Sequence, residues 1–314
     1  MQFFSGAQTT ERLPFDRLIE ALRSLFASGC EAPPRHVHEI AGPGGSVMTS
    51  LLMPAWQPGG CYGVKIVNIA PSNAALGLPA LHSSYLLHDA ITGEVLAWID
   101  GDALTARRTA AASALAASWL ARDDARHLAV LGAGRVARLL PDAYRSVRPI
   151  ERVTVWARDH AKAAALAADL CRSGFDARQA ATAREAVADA DIVSAATLAT
   201  EPIVEGAWLR PGSHLDLIGS FTPAMREADD ACFADAAIYV DSDEALQKSG
   251  DLLGPLERGV FSLADVRGTL FGLARGTVTG RRSTAEQTVF KSVGTALEDL
   301  AAAMLVWRAV EAVS

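Results

Sequence analysis

The stretch HLAVLGAGRVARLL, residues 127–140, constrains this chain most: a strand, a glycine turn and a helix start follow one another in the middle of 314 residues. The apolar run Leu128 to Leu131 breaks at Gly132-Ala133-Gly134 and resumes through Val136, Ala137, Leu139 and Leu140 with helical spacing. A dinucleotide pyrophosphate needs this order. Gly132 permits the tight turn, Gly134 lets the main chain approach phosphate, and small Ala137 lets the helix pack on the strand. A helix start adds free N–H groups and the positive end of its dipole, both suited to an anion. Gly132, Ala133, Gly134, Arg135 and Val136 are therefore candidate cofactor-binding residues. Gly-Ala-Gly turns also close ordinary strand–helix junctions, so the turn points to a cofactor class and leaves the reaction open.

The setting is that of an ordinary globular protein, with 50% hydrophobic and 21% charged residues and length enough for two cores. A net charge of -7 and isolated pairs such as Arg107-Arg108 and Arg281-Arg282 disfavour nucleic acid. Cys30, Cys61, Cys171 and Cys232 are scattered, so reduced thiols and no metal site are expected. The opening MQFFSGAQTTERLP lacks the pattern of a secretory leader, and no apolar run is long enough to span a bilayer. A cytoplasmic protein without a membrane partner is expected.

The glycine turn divides the chain. Upstream, residues 35–40, 46–56, 63–69, 83–88 and 94–99 read as successive strands, punctuated by Gly42-Pro43-Gly44-Gly45, Pro58-Gly59-Gly60 and the hairpin signal Thr92-Gly93. Short turns between consecutive strands imply an antiparallel sheet. Before them, residues 15–27 form an amphipathic helix with Leu18, Leu22, Leu25 and Phe26 on one face. The alanine-rich segment 102–121 reads as a helix connecting two domains. Downstream, strands 152–157, 191–195, 214–218 and 238–240 alternate with helices 160–172 and 183–188, the pattern of a parallel doubly wound sheet. A long final helix, 285–313, is expected to return to the N-terminal domain.

In a dinucleotide fold the second strand ends at the residue that reads the adenosine ribose: a carboxylate suits NAD, whereas a neutral residue with a nearby Arg accommodates the 2′-phosphate of NADP. Here RVTVW ends at Ala157-Arg158-Asp159. With Ala157 at the reading position and Arg158 beside it, NADPH is favoured over NADH. Two alternatives stay open: Arg158 and Asp159 serve only the start of the next helix, with Asp159 as its N-cap, or a shifted strand end places Asp159 on the ribose. Thr197 and Ser220 complete the candidate cofactor-binding residues.

Three upstream cations are candidates for the substrate side: Arg35 in PPRHVHE, Lys65 in YGVKIVN and Arg108 in LTARRTAAA. A lysine inside an apolar strand costs desolvation unless an anion meets it. Taken singly, such a cation is more often a surface charge than a ligand; their joint occurrence carries more weight.

The chain resembles the ornithine cyclodeaminase/mu-crystallin family over most of its length. The resemblance rests on PPRHVHE, YGVKIVN, ALHSSYLLHDAITGEVLAWIDG, LTARRTAAASALAA, LAVLGAGRVA, HLDLIGSFTP and TVFKSVGTALED, in the family's order. It implies an α/β fold: a Rossmann-type doubly wound parallel sheet inserted after an α+β antiparallel-sheet domain for substrate binding and dimerisation. The expected domains are 1–113 with 297–314 and 114–296, in a homodimer. The resemblance places Arg35, Lys65 and Arg108 on the substrate carboxylate, and Ser83 where the cyclodeaminases carry a small hydroxyl residue.

One position departs. In the ornithine cyclodeaminases the strand similar to HLDLIG leads into Gly-Gly-Asp or Gly-Ala-Asp, whose aspartate is the catalytic acid/base; here Gly219-Ser220-Phe221 stands there. Phe221 cannot accept a proton, and loss of a general base costs about 10² to 10⁴ in rate. Cyclodeamination is disfavoured unless Asp216, Glu227 or Asp229 replaces that group. A Phe suits a flat apolar ring bearing one carboxylate, and Ser-Phe-Thr-Pro is similar to family members regarded as cyclic ketimine reductases. The expected activity is NAD(P)H-dependent reduction of 1-pyrroline-2-carboxylate or 1-piperideine-2-carboxylate to L-proline or L-pipecolate. Lys65 is the first candidate proton donor and His82 the second. The alternatives are an ornithine cyclodeaminase, an alanine dehydrogenase, and a mu-crystallin-like protein binding NADPH and a ligand.

Overall fold

Period-2 alternation in the N-terminal third folds as an antiparallel sheet. β2 (His36–Ala41), β3 (Val47–Trp56), β4 (Cys61–Ile69), β5 (Leu81–Asp89) and β6 (Val95–Asp100) pair in chain order, and the short β1 (Gln2–Phe4) adds parallel to β6. The structure, a computed structural model, describes residues 1–311. β1 was not expected from the sequence, being only three residues long. β2 starts at His36, so Arg35 stands just ahead of the strand.

Register decides which side chains are buried. Met53, Lys65, Tyr85 and Ile99 oppose one another across β3 to β6 and all are buried. Their neighbours Leu52, Ile66, Ser84 and Asp100, on the other face, are half-buried. The β5–β6 turn forms where expected: Asp89 Oδ1 accepts from the N–H groups of Ile91 and Thr92, and Gly93 takes a φ of +76°.

Of the helices, α1 (Gly6–Glu11) opens on a capping box between Ser5 and Gln8, and α2 (Phe15–Ser28) buries Phe15, Leu18, Ile19, Leu22, Leu25 and Phe26. Each such side chain contributes about 1.5–3 kcal/mol when fully buried. α3 (Gly101–Leu120) is the expected alanine-rich helix, its Ala110, Ala111, Ala114, Ala116 and Ala117 without exposed surface.

The second sheet contains β7 (His127–Leu131), β8 (Arg152–Trp156), β9 (Asp176–Gln179), β10 (Ile192–Ala195), β11 (His214–Leu217), β12 (Ala237–Val240), β13 (Val266–Thr269) and β14 (Thr288–Lys291). All its pairings are parallel, in the order β13-β12-β14-β11-β10-β7-β8-β9. Strand succession reverses at β7: β8 and β9 lie to one side, β10 and β11 to the other. Open α/β sheets bind ligands at such a switch point, beyond the carboxyl ends of the strands. The helices of this part of the chain are α4 (Leu140–Arg145), α5 (His160–Arg172), α6 (Ala183–Val187), α7 (Ala245–Lys248), α8 (Gly250–Glu257) and α9 (Leu270–Ala274), of which α5, α6 and α9 pack on the sheet.

Two expectations are corrected. The helix after the glycine turn does not start at Val136: residues 135–139 form turns and α4 begins at Leu140. Pro141 has no N–H to give the carbonyl of Ala137, so a regular helix cannot run through from the glycines. The final helix is also shorter at its start. Residues 288–291 form β14, between β11 and β12, and α10 (Ala296–Glu311) follows Gly294, whose φ is +77°. The N-terminal part of the expected helix is thus a central strand; residues 312 and 313 lie outside the described residues. Two compact units result, residues 1–109 with the chain from Thr295 onward, and residues 110–294.

Candidate active site

The parallel register brings the candidate cofactor residues to one edge. Leu131 pairs with both Trp156 and Ala195, and Ala195 with Leu217, so Gly132, Ala157, Ala196 and Ile218 leave their strands side by side. Gly132 has a φ of +119°, and a Cβ there would lie 2.7 Å from the carbonyl oxygen of Ala196. Only glycine fits. Gly134 is exposed, and a Cβ there would meet no atom within 4 Å. Its glycine is not required by the protein's own packing, which suits a main chain that an external phosphate approaches. Ala133 and Val136 are half-buried, Arg135 exposed, and Ala137 fully buried.

At the end of β8, Ala157 is 7% exposed and Arg158 is exposed. Asp159 caps α5: its Oδ1 accepts from Lys162 N at 3.1 Å and its Oδ2 pairs with Lys162 Nζ at 3.3 Å. The main-chain N–H of Lys162 holds this carboxyl below its ordinary pKa. Of the readings open for Asp159, the structure shows the N-cap.

Thr197 and Ser220 occupy the same edge with different engagements. Glu227, fully buried, accepts Thr197 N and Thr197 Oγ1 on Oε1, both at 2.7 Å, and Gly219 N on Oε2 at 2.6 Å. Burial pushes its pKa up to about 7, against the opposing pull of Lys291. Ser220 turns its hydroxyl inward, donating to Met225 O at 2.6 Å beside Ser249 Oγ at 2.9 Å, so any cofactor contact falls to its main chain. Phe221 follows on the loop, 47% exposed.

Each of the three substitute carboxylates accepts hydrogen bonds from within its own unit. Asp216 is fully buried and accepts Ser113 Oγ, Tyr144 OH and Ser194 Oγ. Glu227 is the clamp just described, and Asp229 Oδ1 accepts Gly206 N and Cys232 N.

In the other unit, Lys65 and Arg108 come together on α10. Lys65 Nζ lies 2.6 Å from Asp299 Oδ2; Arg108 Nε donates to Asp299 Oδ1 at 2.9 Å and its Nη1 to Glu298 Oε2 at 2.6 Å. Lys65 and Arg108 are 2% and 6% exposed, Glu298 and Asp299 1% and 0%. Burial lowers the Lys65 pKa to about 8 although Asp299 opposes the fall, whereas the two carboxylates hold Arg108 protonated despite its burial. The anion that a lysine inside an apolar strand needs is thus present within the chain, as Asp299. Neither acid was singled out from the sequence. The available signal was the Glu-Asp pair in TVFKSVGTALED, together with a core lysine needing a counter-ion.

Ser83 lies on the Lys65 face, opposite Val67, and donates to Asp102 Oδ1 at 2.7 Å. Its hydroxyl oxygen keeps lone pairs, but its proton is taken. Arg35 is half-buried ahead of β2, and His82 is exposed on β5 opposite Asn68. Among the described residues no group of three His, Cys, Asp or Glu side chains could hold a metal ion, and no helix is long and apolar enough to cross a membrane.

Fold and site together define a class: a Rossmann-type α/β unit with a glycine turn at its switch point, joined to an antiparallel unit with a buried cluster of cations and carboxylates. The chain belongs to the ornithine cyclodeaminase/mu-crystallin family, whose model matches residues 8–313. It is 43% identical to the Delta(1)-pyrroline-2-carboxylate reductase of Paracoccus denitrificans over 98% of this chain and 96% of that protein. Among solved structures it is similar to the Thermococcus litoralis Delta(1)-pyrroline-2-carboxylate reductase in complex with NADH and L-proline. That likeness has a TM-score of 0.91 and 32% identity, covering 99% of this chain and 98% of the other. An archaeal alanine dehydrogenase dimer with bound NAD is similar at a TM-score of 0.89 and 27% identity, covering 99% and 97% of the two chains.

Proposed function

We propose that this protein is an NAD(P)H-dependent reductase of a cyclic ketimine carboxylate, converting 1-pyrroline-2-carboxylate or 1-piperideine-2-carboxylate to L-proline or L-pipecolate. The observation that carries the reading is the loop after β11, which presents Phe221, while Asp216, Glu227 and Asp229 are committed to hydrogen bonds elsewhere. Cyclodeamination needs a carboxylate there; reduction of a ring imine does not. The names of the Paracoccus and Thermococcus relatives support the same reaction.

Gly132, Ala133 and Gly134 would hold the pyrophosphate of a reduced nicotinamide dinucleotide, which would supply the hydride for the imine carbon. Arg35, Lys65 and Arg108 hold the carboxylate with Ser83 beside them, each charge-assisted bond contributing about 1.5–3 kcal/mol. Lys65 and Arg108 are held in place for this by their ion pairs with Glu298 and Asp299. Lys65 gives the imine nitrogen its proton, and Phe221 offers the ring an apolar face. Fixing the carboxylate orients the neighbouring carbon for transfer.

NADPH is the proposed cofactor in preference to NADH, because Ala157 leaves the ribose without a carboxylate and Asp159 is occupied as an N-cap. The protein acts as a homodimer, as its likeness to the alanine dehydrogenase dimer supports. Its four cysteines, all free thiols, fit a reducing cytoplasm.

Initial rates with the five- and six-membered imines, each against NADH and NADPH, test the reading. Stoichiometric consumption of reduced cofactor is expected, with turnover abolished in Lys65→Met. Ammonia release from L-ornithine without net cofactor change would overturn it, as would binding of NADPH and an imine without turnover.

A further inference from the structure

Asp299 stands where one carboxylate serves two cations from different elements. Its Oδ2 lies 2.6 Å from Lys65 Nζ on β4 and its Oδ1 accepts from Arg108 Nε on α3 at 2.9 Å. Glu298, the preceding residue, takes Arg108 Nη1 at 2.6 Å. Both acids sit in the first turn of α10, where the helix dipole favours negative charge, and α10 packs on α2 and on β3, β4 and β5. Ion pairs buried this deeply are a poor way to stabilise a fold, because desolvation offsets most of their attraction and an apolar set of equal volume does as well. Two cations and two carboxylates locked together in a core point to a task beyond packing.

We propose that Asp299 is the positioning residue of the site: it fixes the direction of the Lys65 ammonium and keeps it protonated, so that Lys65 can deliver a proton to the substrate nitrogen. The proposal rests on the reductase reading and on Lys65 as its donor. In the reduction, the imine carbon gains hydride from the reduced nicotinamide, the C=N π pair becomes the new N–H bond, and that proton comes from Lys65 Nζ. Lys65 is left neutral and regains its proton from solvent.

The surroundings of Lys65 show why the balance depends on Asp299. Burial lowers its pKa to about 8; Arg108 pushes the same way, while Asp299, more strongly than Glu298, pushes back. Tyr85, opposite Lys65 on β5, is held neutral by burial and by Asp299 and adds no charge. Without the Asp299 charge, burial and Arg108 act with only Glu298 against them. A lysine that is neutral near pH 7 has no proton to give.

The chain has four lysines, Lys65, Lys162, Lys248 and Lys291, so each can be resolved by NMR of protein labelled at lysine ¹³Cε. The Lys65 signal is the one lost in Lys65→Met. We expect its titration midpoint to fall by about 1–3 units in Asp299→Asn, the range an adjacent opposite charge commands. The alkaline limb of kcat/KM for imine reduction should move down by the same amount. Asp299→Glu keeps the charge but displaces it by one methylene, and should shift both readouts in the same direction by less. An unchanged Lys65 midpoint in either folded variant overturns the proposal. A lowered midpoint in an enzyme whose wild type reduces no cyclic imine overturns the reductase reading instead, and leaves the hold of Asp299 on Lys65 standing.

Discussion

At Ala157 strand β8 ends without a carboxylate, and two residues on, Asp159 commits its oxygens to the first turn of α5. Arg158, between them, is exposed and carries the positive charge that a 2′-phosphate requires. If it meets that phosphate, Arg158→Ala loses a charge-assisted bond of about 1.5–3 kcal/mol, or roughly ten- to a hundred-fold in affinity. The KM for NADPH should rise by that factor while the KM for NADH stays within two-fold, about the scatter of a neutral surface change. Equal effects on both cofactors would show that Arg158 does not read the phosphate. Much of this site is legible in the chain because it is local: Gly132, Ala157 and Arg158 stand next to strand ends marked by apolar runs. Asp159 is the exception, since its two roles differ by a strand end that periodicity cannot place to within a residue.

Between elements, Glu227 joins the loops after β10 and β11. One carboxylate accepts Thr197 N, Thr197 Oγ1 and Gly219 N, and a Cβ on Gly219 would lie 1.9 Å from Thr197 O, so the loops are pressed together. Glu227→Gln keeps the volume but turns an amino group toward one of these donors. The expected cost is about 1–3 kcal/mol of stability for a donor left unmatched. This gap depends on pH. Glu227 titrates near 7 when folded against an ordinary 4.5, so between those values the folded state holds the extra proton and stability falls as pH rises. The gap between wild type and Glu227→Gln should therefore be wider at pH 5 than at pH 8, by about 2–3 kcal/mol in urea unfolding. A gap independent of pH would mean that the carboxylate does not titrate in this window. Such pairings are not legible locally, because Thr197 and Glu227 are 30 residues apart. The same holds for β14: Thr288–Lys291 reads as the start of an alanine-rich helix, and only its place between β11 and β12 makes it a strand.

Across the whole chain, both units bury charged side chains, with a different balance of partners around them. The first matches two cations with two carboxylates on α10; the second surrounds Asp216, Glu227, Asp241 and Asp251 with main-chain and hydroxyl donors, with Lys291 near by. Acid should therefore act on the second unit through its exceptions, chiefly His214 in β11. His214 is fully buried, with Nδ1 2.9 Å from Thr288 Oγ1 and no partner for Nε2. Burial, with Arg281 and Arg148, lowers its pKa to about 3 from an ordinary 6.5. The unfolded chain binds the proton first, so His214 makes the fold lose stability as pH drops below about 6.5, opposite in sign to Glu227. His214→Asn removes this liability, although the smaller side chain lowers stability at neutral pH. Its deficit relative to wild type should shrink by about 2 kcal/mol between pH 7 and pH 5, measured on the unfolding transition of the second unit, since two units need not unfold as one. Parallel stability curves for the two proteins would show instead that His214 takes up its proton without unfolding, and that acid reaches this sheet by another route.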